Sequence, residues 1–107
     1  MSEDKLAEFL EEGEDWGKIK TNVPGIFVIK LPEYKKSPSR LAVEINPVDA
    51  SGNTTKRRGL LIKDMYEYDD FKSLITNEKM ETLLEMLEDV NPPGVGRDRK
   101  GEEVIEI

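Results

Sequence analysis

The hydrophobic pattern changes its period once along the chain, and this change limits the fold more than any other feature. Ile26–Leu31 is an apolar run rich in β-branched residues, and Arg40–Val48 alternates, so both are predicted strands. From Tyr68 to Val90 apolar residues recur every three or four positions, which predicts a helix. One such change within 107 residues predicts a single α+β domain.

The predicted fold is an antiparallel sheet of about four strands, packed by a short N-terminal and a long C-terminal helix. A short helix capped by Ser2 is expected to stop at Gly13, and the Tyr68–Val90 helix has a candidate interruption near Thr76-Asn77. Helices should cover one sheet face and leave the other face curved and basic. The predicted strands are Trp16–Lys20, Ile26–Leu31, Arg40–Val48 and Thr55–Lys63, with a hairpin turn at Asp49–Asn53.

The sequence predicts one domain over residues 1–92 and a flexible acidic tail over residues 93–107. The tail mixes acids with aliphatic residues in Glu102–Ile107. This composition suits a protein partner, or a contact that shields the basic sheet when no nucleic acid is bound.

Charge is divided unevenly along the chain. The net charge is −7 overall, but it is −6 over residues 1–15, +6 over residues 16–64 and −7 over residues 65–107. Binding to phosphate depends on the local potential at a surface, so a basic segment can work inside an acidic protein.

The absence of cysteine and histidine narrows the chemistry. Without cysteine there are no disulfides and no thiolate ligands, and without histidine the commonest general base and metal ligand is missing. Adjacent acids such as Asp69-Asp70 do not converge on a helix, so no metal site, cofactor or catalytic residue is predicted. The chain is expected to be no enzyme.

The N-terminal residues do not resemble a signal peptide, and no apolar run is long enough to cross a membrane. We therefore expect a cytoplasmic protein without a membrane partner. The charged composition, at 36% Asp, Glu, Lys and Arg, is typical of a thermophilic source.

Lys56-Arg57-Arg58-Gly59 is the most specific motif. In a strand, Lys56 and Arg58 share one face and Arg57 takes the other, so this end should project beyond the core. Three cations suit a polyphosphate track, while Gly59 allows a close approach. Basic residues also protect strand ends from aggregation, and the motif alone does not separate these two interpretations.

Trp16-Gly17-Lys18-Ile19-Lys20 places an aromatic residue among cations. As a strand it would present Trp16, Lys18 and Lys20 on one face and turn Ile19 to the core. Bases can stack on the indole, although a lone tryptophan is more often a core anchor. Phe27 is a second stacking candidate that could instead pack beneath the helix, and Tyr34 lies in a basic loop.

Two families resemble this chain. Leu41–Pro47, an Asp-x-x-Gly turn, Thr55–Ile62 and an acidic helix start together resemble the positive-cofactor-four transcriptional coactivators, over about residues 26–90. With the acidic N-terminal helix and Val23–Ile29, the chain over about residues 1–92 resembles archaeal single-stranded DNA-binding proteins related to ThermoDBP. These resemblances imply a homodimer and a cleft of aromatic and aliphatic residues that is flanked by basic residues.

The resemblance implies that the basic motif contacts the nucleic-acid backbone, with Arg40 and Lys30 on neighbouring strands. The expected function is binding of single-stranded DNA or RNA with little sequence specificity. The alternative is a protein-interaction module, or a small regulatory subunit of transcription or repair machinery. The candidate binding residues are Trp16, Lys18, Lys20, Phe27, Lys30, Tyr34, Arg40, Lys56, Arg57 and Arg58.

Overall fold

The chain forms an α+β structure, as the sequence predicts. A computed structural model describes residues 2–93, and its contacts divide the chain into two compact units, Met1–Asp64 and Met65–Ile107. A helix and a four-stranded antiparallel sheet belong to the first unit, and two helices belong to the second. The unit boundary coincides with the change of hydrophobic period. The predicted acidic tail lies outside the described residues, apart from Pro93.

The first unit contains a simple meander. Helix α1 spans Ser2–Glu12, and four strands follow in sequence and in space: β1 (Lys18–Lys20), β2 (Ile26–Leu31), β3 (Arg40–Ile45) and β4 (Leu60–Ile62). Each neighbouring pair is antiparallel, so each connection is a hairpin.

Local side-chain hydrogen bonds form two of these turns. Between β1 and β2, the Thr21 hydroxyl donates to the Ile26 carbonyl at 2.8 Å, and Gly25 takes a positive φ of 95°. After β3, one carboxylate oxygen of Asp49 accepts from the backbone N–H groups of Ser51 and Asn53 at 2.9 and 3.0 Å. The predicted turn at 49–53 is therefore an Asx-type turn.

The basic motif is not part of a strand, which corrects the prediction of a strand over Thr55–Lys63. Only Leu60–Ile62 pairs with β3, and residues 56–59 form a loop. The reason is tertiary, since side chains of β3 take the loop's backbone hydrogen bonds in place of a ladder. We call Lys56–Gly59 the basic loop.

The register separates two chemically different sheet faces. One, which we call the cleft face, carries Lys18, Lys20, Phe27, Ile29, Leu31, Arg40, Ala42, Glu44 and Leu61. The other, the aliphatic face, carries Ile19, Ile26, Val28, Lys30, Leu41, Val43, Ile45, Leu60 and Ile62.

Burial in β3 is the reverse of what its hydrophobic pattern suggests. Ala42 and Glu44 are buried, while Val43 and Ile45 remain 37% and 39% exposed. The inversion follows from the basic loop, which is bonded to the cleft side of β3. The core cluster of Ile29, Leu31 and Ala42, with Leu61 packed against it, also faces this side. Ile19, predicted to turn to the core, is 36% exposed.

The second unit contains two helices, α2 (Met65–Ile75) and α3 (Glu78–Val90). The predicted helix over Tyr68–Val90 is therefore divided, at the Thr76-Asn77 interruption that the sequence indicates. Asn77 begins α3 by accepting the Lys79 N–H at 2.9 Å through its side chain. No helix within residues 2–93 is long and apolar enough to cross a membrane.

Gly59 offers a direct test of the loop's close approach to β3. A Cβ built there would lie 2.1 Å from the Ile45 carbonyl oxygen, a backbone atom that cannot swing aside. Gly59→Ala should therefore lower the free energy of unfolding by about 1–3 kcal/mol, measured by urea denaturation. Gly52→Asn is the control, because Gly52 has open space around it and asparagine tolerates its positive φ. Equal stability of Gly59→Ala and wild type would contradict the close approach.

Candidate nucleic-acid interface

Glu44 lies at the centre of the cleft face and is only 1% exposed. One carboxylate oxygen accepts from the Lys18 ammonium at 2.7 Å, and the other accepts from the Gly59 backbone N–H at 3.0 Å. A buried carboxylate is tolerated only when its charge is paired and its oxygens are bonded, and both conditions are met here.

The pKa of Glu44 is lowered from its ordinary value. Burial is the largest influence and raises the pKa, but it is outweighed by the hydrogen bond from Gly59 and by the bond and charge of Lys18. The Arg58 charge lowers the pKa further. The carboxylate is therefore ionised at neutral pH and holds its cationic partners in place.

Asn46 anchors the other end of the basic loop. Its side chain is completely buried, donates to the Lys56 carbonyl at 2.8 Å and accepts the Lys56 N–H at 3.2 Å. Glu44 and Asn46 stand two residues apart, so both face the cleft side. They clamp the loop at its first and last residues, which leaves Arg57 and Arg58 as the unclamped middle.

Trp16 is held in an unusual backbone conformation beside this loop. Its φ is 66°, in a region that a bulky side chain rarely adopts. The conformation is fixed by a 2.7 Å bond from the Trp16 N–H to the Lys30 carbonyl, followed by a 3.0 Å bond from the Lys30 N–H to the Gly17 carbonyl. Such strain costs about 1–3 kcal/mol and is concentrated at functional sites.

The Trp16 side chain is 45% exposed, so it is not the core anchor that a lone tryptophan usually is. The Arg58 guanidinium carbon lies 4.9 Å from the centroid of its ring, which is cation–π contact distance. The indole and the basic loop thus meet across the mouth of one cavity.

This cavity, the Trp16 pocket, has a volume of about 120 Å³. Its floor is aliphatic and its walls are the indole and cationic groups. It is lined by Trp16, Lys18, Ile29, Glu44, Arg57, Arg58, Gly59 and Leu61.

Six of the ten candidate residues line one of two cavities. Trp16, Lys18, Arg57 and Arg58 meet in the Trp16 pocket. Lys20 and Phe27 line a second cavity at the β1–β2 turn, which we call the turn cavity. The sequence prediction that Lys18 and Lys20 share a face is confirmed by the register.

The other four candidates do not reach either cavity. Lys30 lies on the aliphatic face, where its ammonium donates to the Gly13 carbonyl at 2.9 Å and is largely buried, so it is a structural residue. Tyr34 is exposed in the β2–β3 loop beneath the Lys35 ammonium. Arg40 begins β3 and donates to the Lys63 carbonyl at 3.3 Å, and Lys56 presents its side chain from the clamped end of the loop.

Glu44 and Asn46 were not among the site residues predicted from the sequence. Both alternate with the aliphatic Val43 and Ile45, so they looked like solvent-facing positions. The only sequence feature that could have indicated their role was the basic segment ending in Gly59, which follows them along the chain. Among residues 2–93 no cluster of three or more carboxylates could hold a metal ion.

Comparison with known proteins adds no assignment. The chain matches no protein-family model, no curated protein and no solved structure.

The lowered pKa of Glu44 predicts a pH-dependent contribution to stability. The pKa of the Glu44 carboxyl is higher in the unfolded chain than in the fold. The ionised carboxylate therefore stabilises the fold at pH values above the unfolded-state pKa. That contribution is lost as the pH falls through the folded-state value. Glu44→Gln should lower the free energy of unfolding by about 1 kcal/mol at pH 7, with the difference from wild type shrinking as the pH falls below 4.5, the ordinary value of this carboxyl pKa.

The measurement is urea denaturation across the acid range, with Glu33→Gln in the exposed β2–β3 loop as a matched control. A difference between Glu44→Gln and wild type that stays constant with pH would show that the carboxylate's charge contributes nothing.

Proposed function

We propose that this protein binds single-stranded nucleic acid, DNA or RNA, at the cleft face and without enzymatic activity. The observation that carries the proposal is the exposed, conformationally strained Trp16 beneath Arg58, at a cavity that also receives Lys18 and Arg57. An exposed aromatic surrounded by cations supplies the two interactions that single strands require, base stacking and phosphate neutralisation.

The Trp16 pocket supports stacking of one base. An unpaired base on the indole contributes about 1–3 kcal/mol. Arg58 covers the ring in the free protein, so an incoming base replaces it there and leaves the guanidinium available to a phosphate. Because every base has a π-face and no base edge is read, sequence preference should be weak.

Phosphate contacts come from the basic loop. Arg57 and Arg58 carry their charge between the two clamps, and the pKa of Glu44 keeps the opposing carboxylate ionised but bonded to Lys18 and Gly59. The acid therefore offsets Lys18 and leaves the loop arginines to act on the ligand.

The proposal includes a homodimer formed through α3. Leu83 and Leu84 are each 51% exposed, and neither α2 nor α3 has a buried residue. At 100° per residue the apolar side chains of α3 share one side, so two stripes can pack without bringing acids together. The opposite side carries Glu78, Glu81, Glu85, Glu88 and Asp89.

The α3 stripe also supports the alternative function, a protein-interaction module, in which a different protein covers it. The two proposals differ in what the basic loop does. In the alternative the loop only protects the strand end, and its arginines can be removed without effect on binding.

Removal of the loop cations tests the nucleic-acid proposal. Arg57→Ala with Arg58→Ala should weaken binding to labelled oligo-dT, and should reduce the slope of log affinity against log salt by about 0.7 per lost phosphate contact. Fluorescence anisotropy at several salt concentrations measures both. The control is Lys5→Ala with Lys72→Ala, which removes two exposed cations from α1 and α2. Equal losses in both variants, or no binding by wild type at low salt, would rule the proposal out.

A charge placed in the α3 stripe tests the dimer. Leu84→Lys should convert a dimer to a monomer in sedimentation equilibrium, because the ammonium would be buried in an apolar interface. Thr82→Lys adds the same charge away from the stripe and should leave the dimer intact. A monomeric wild type, or a dimer that survives Leu84→Lys, would exclude α3 as the interface.

A further inference from the structure

We infer that the turn cavity is a second nucleobase seat, and that it forms with the Trp16 pocket one track that requires an unpaired strand. This inference rests on the proposed function and extends it from a single pocket to an ordered pair. Cleft-face residues line both cavities, Lys18 in the first and Lys20 and Phe27 in the second, and β1 contributes to each.

The turn cavity has a volume of about 230 Å³, larger than the Trp16 pocket. Two turn glycines help to keep it open, since Gly25 and Gly52 both take positive φ and neither fills the space with a side chain. The rest of the lining is mainly apolar, with two polar residues and one cation: Val23, Pro24, Ile26, Phe27 and Val48, then Thr21 and Asn22, then Lys20.

The lining suits a flat, weakly polar ligand with an anionic attachment. The Phe27 ring is mostly buried, so it forms a fixed wall instead of a mobile flap. The Thr21 hydroxyl is already engaged with the Ile26 and Val23 carbonyls, and therefore is not offered to a ligand as a donor. Lys20 is exposed and can meet a phosphate. A base against Phe27 with its phosphate near Lys20 satisfies both features.

A neutral ion pair separates the two seats. The Lys18 ammonium is 2.7 Å from Glu44 and 5.5 Å from the centroid of the Phe27 ring, so it stands between the cavities with its charge offset. The cations available to phosphates lie outside this divider, with Arg57 and Arg58 at one seat and Lys20 at the other. This distribution favours nucleobases on either side of the Lys18–Glu44 pair and phosphates at the two outer ends of the track.

The spacing selects against two neighbouring bases that remain stacked on each other. Ile29 lines the first cavity and Phe27 the second, and these residues lie two positions apart on the cleft face of β2, a distance of about 7 Å. Stacked nucleotides advance about 3.4 Å each, so consecutive stacked bases cannot enter both seats. A duplex also keeps its bases paired. An unstacked strand of two to four nucleotides can span the seats.

The test uses Trp16, which is the only tryptophan of the chain and reports its own seat. Quenching of its fluorescence is titrated with thymidine monophosphate and with oligo-dT of two to six nucleotides. The monophosphate should quench weakly, and affinity should rise stepwise once the ligand is long enough to reach the turn cavity.

Lys20→Gln with Val23→Ser changes only the second seat, since both side chains are exposed and neither belongs to the clamps. This variant should lose about tenfold in affinity for four nucleotides, equivalent to one stacked base, and remain within twofold for the monophosphate. Phe27→Leu, which keeps the wall apolar but removes the ring, should lose the step as well, with its fold verified by thermal melting. Lys5→Ala should leave the affinity for both ligands unchanged.

The outcomes separate the two proposals. Monophosphate quenching with equal length dependence in wild type and both seat variants would overturn the second seat and leave the Trp16 pocket standing. No quenching by any ligand, together with no oligo-dT binding, would overturn the proposed function and the second seat with it.

Discussion

The arrangement of the cleft depends on one buried carboxylate. An unpaired Glu44 in this position would be strongly unfavourable, so its burial requires the Lys18 ammonium and the Gly59 N–H to be where they are. The first partner ties the edge strand β1 to β3 across the intervening β2, and the second fixes the end of the basic loop. One ionised group thereby sets the positions of the two chain segments that line the Trp16 pocket.

The strained backbone of Trp16 and the contact of its ring with Arg58 belong to the same arrangement. The indole is exposed and its backbone is in the left-handed region, an arrangement that lowers stability unless neighbouring bonds hold it. The Lys30 carbonyl provides such a bond, and Arg58 covers the ring in the absence of a ligand. In the proposed function, a base would displace only the exposed Arg58 side chain from the indole, with little reorganisation of the backbone.

Local patterns predicted the parts of the fold that local physics determines. The sequence predicted β2 at its observed bounds, the turn at Asp49 from its residues, and an interruption of the helix near Thr76-Asn77, where the structure shows Asn77 capping α3. The basic loop was assigned to a strand because alternation in the sequence cannot reveal that Asn46 takes its backbone bonds. Lys30 was misplaced for a related reason, since its distance from the other cations depends on sheet register and not on composition.

A locally basic cleft is compatible with an acidic protein because electrostatic interactions in salt solution have a short range. At about 0.1 M salt, interactions are screened beyond about 10 Å, so a phosphate in the cleft responds to its near neighbours and not to the net charge of −7. Within the cleft, the acid nearest the ligand is Glu44, and its charge is already matched by Lys18. The acidic residues elsewhere reduce long-range attraction of any polyanion. If the cleft face binds nucleic acid, as proposed, the affinity must come from close contacts with the indole and the loop arginines, and stacking on the indole requires an unpaired base.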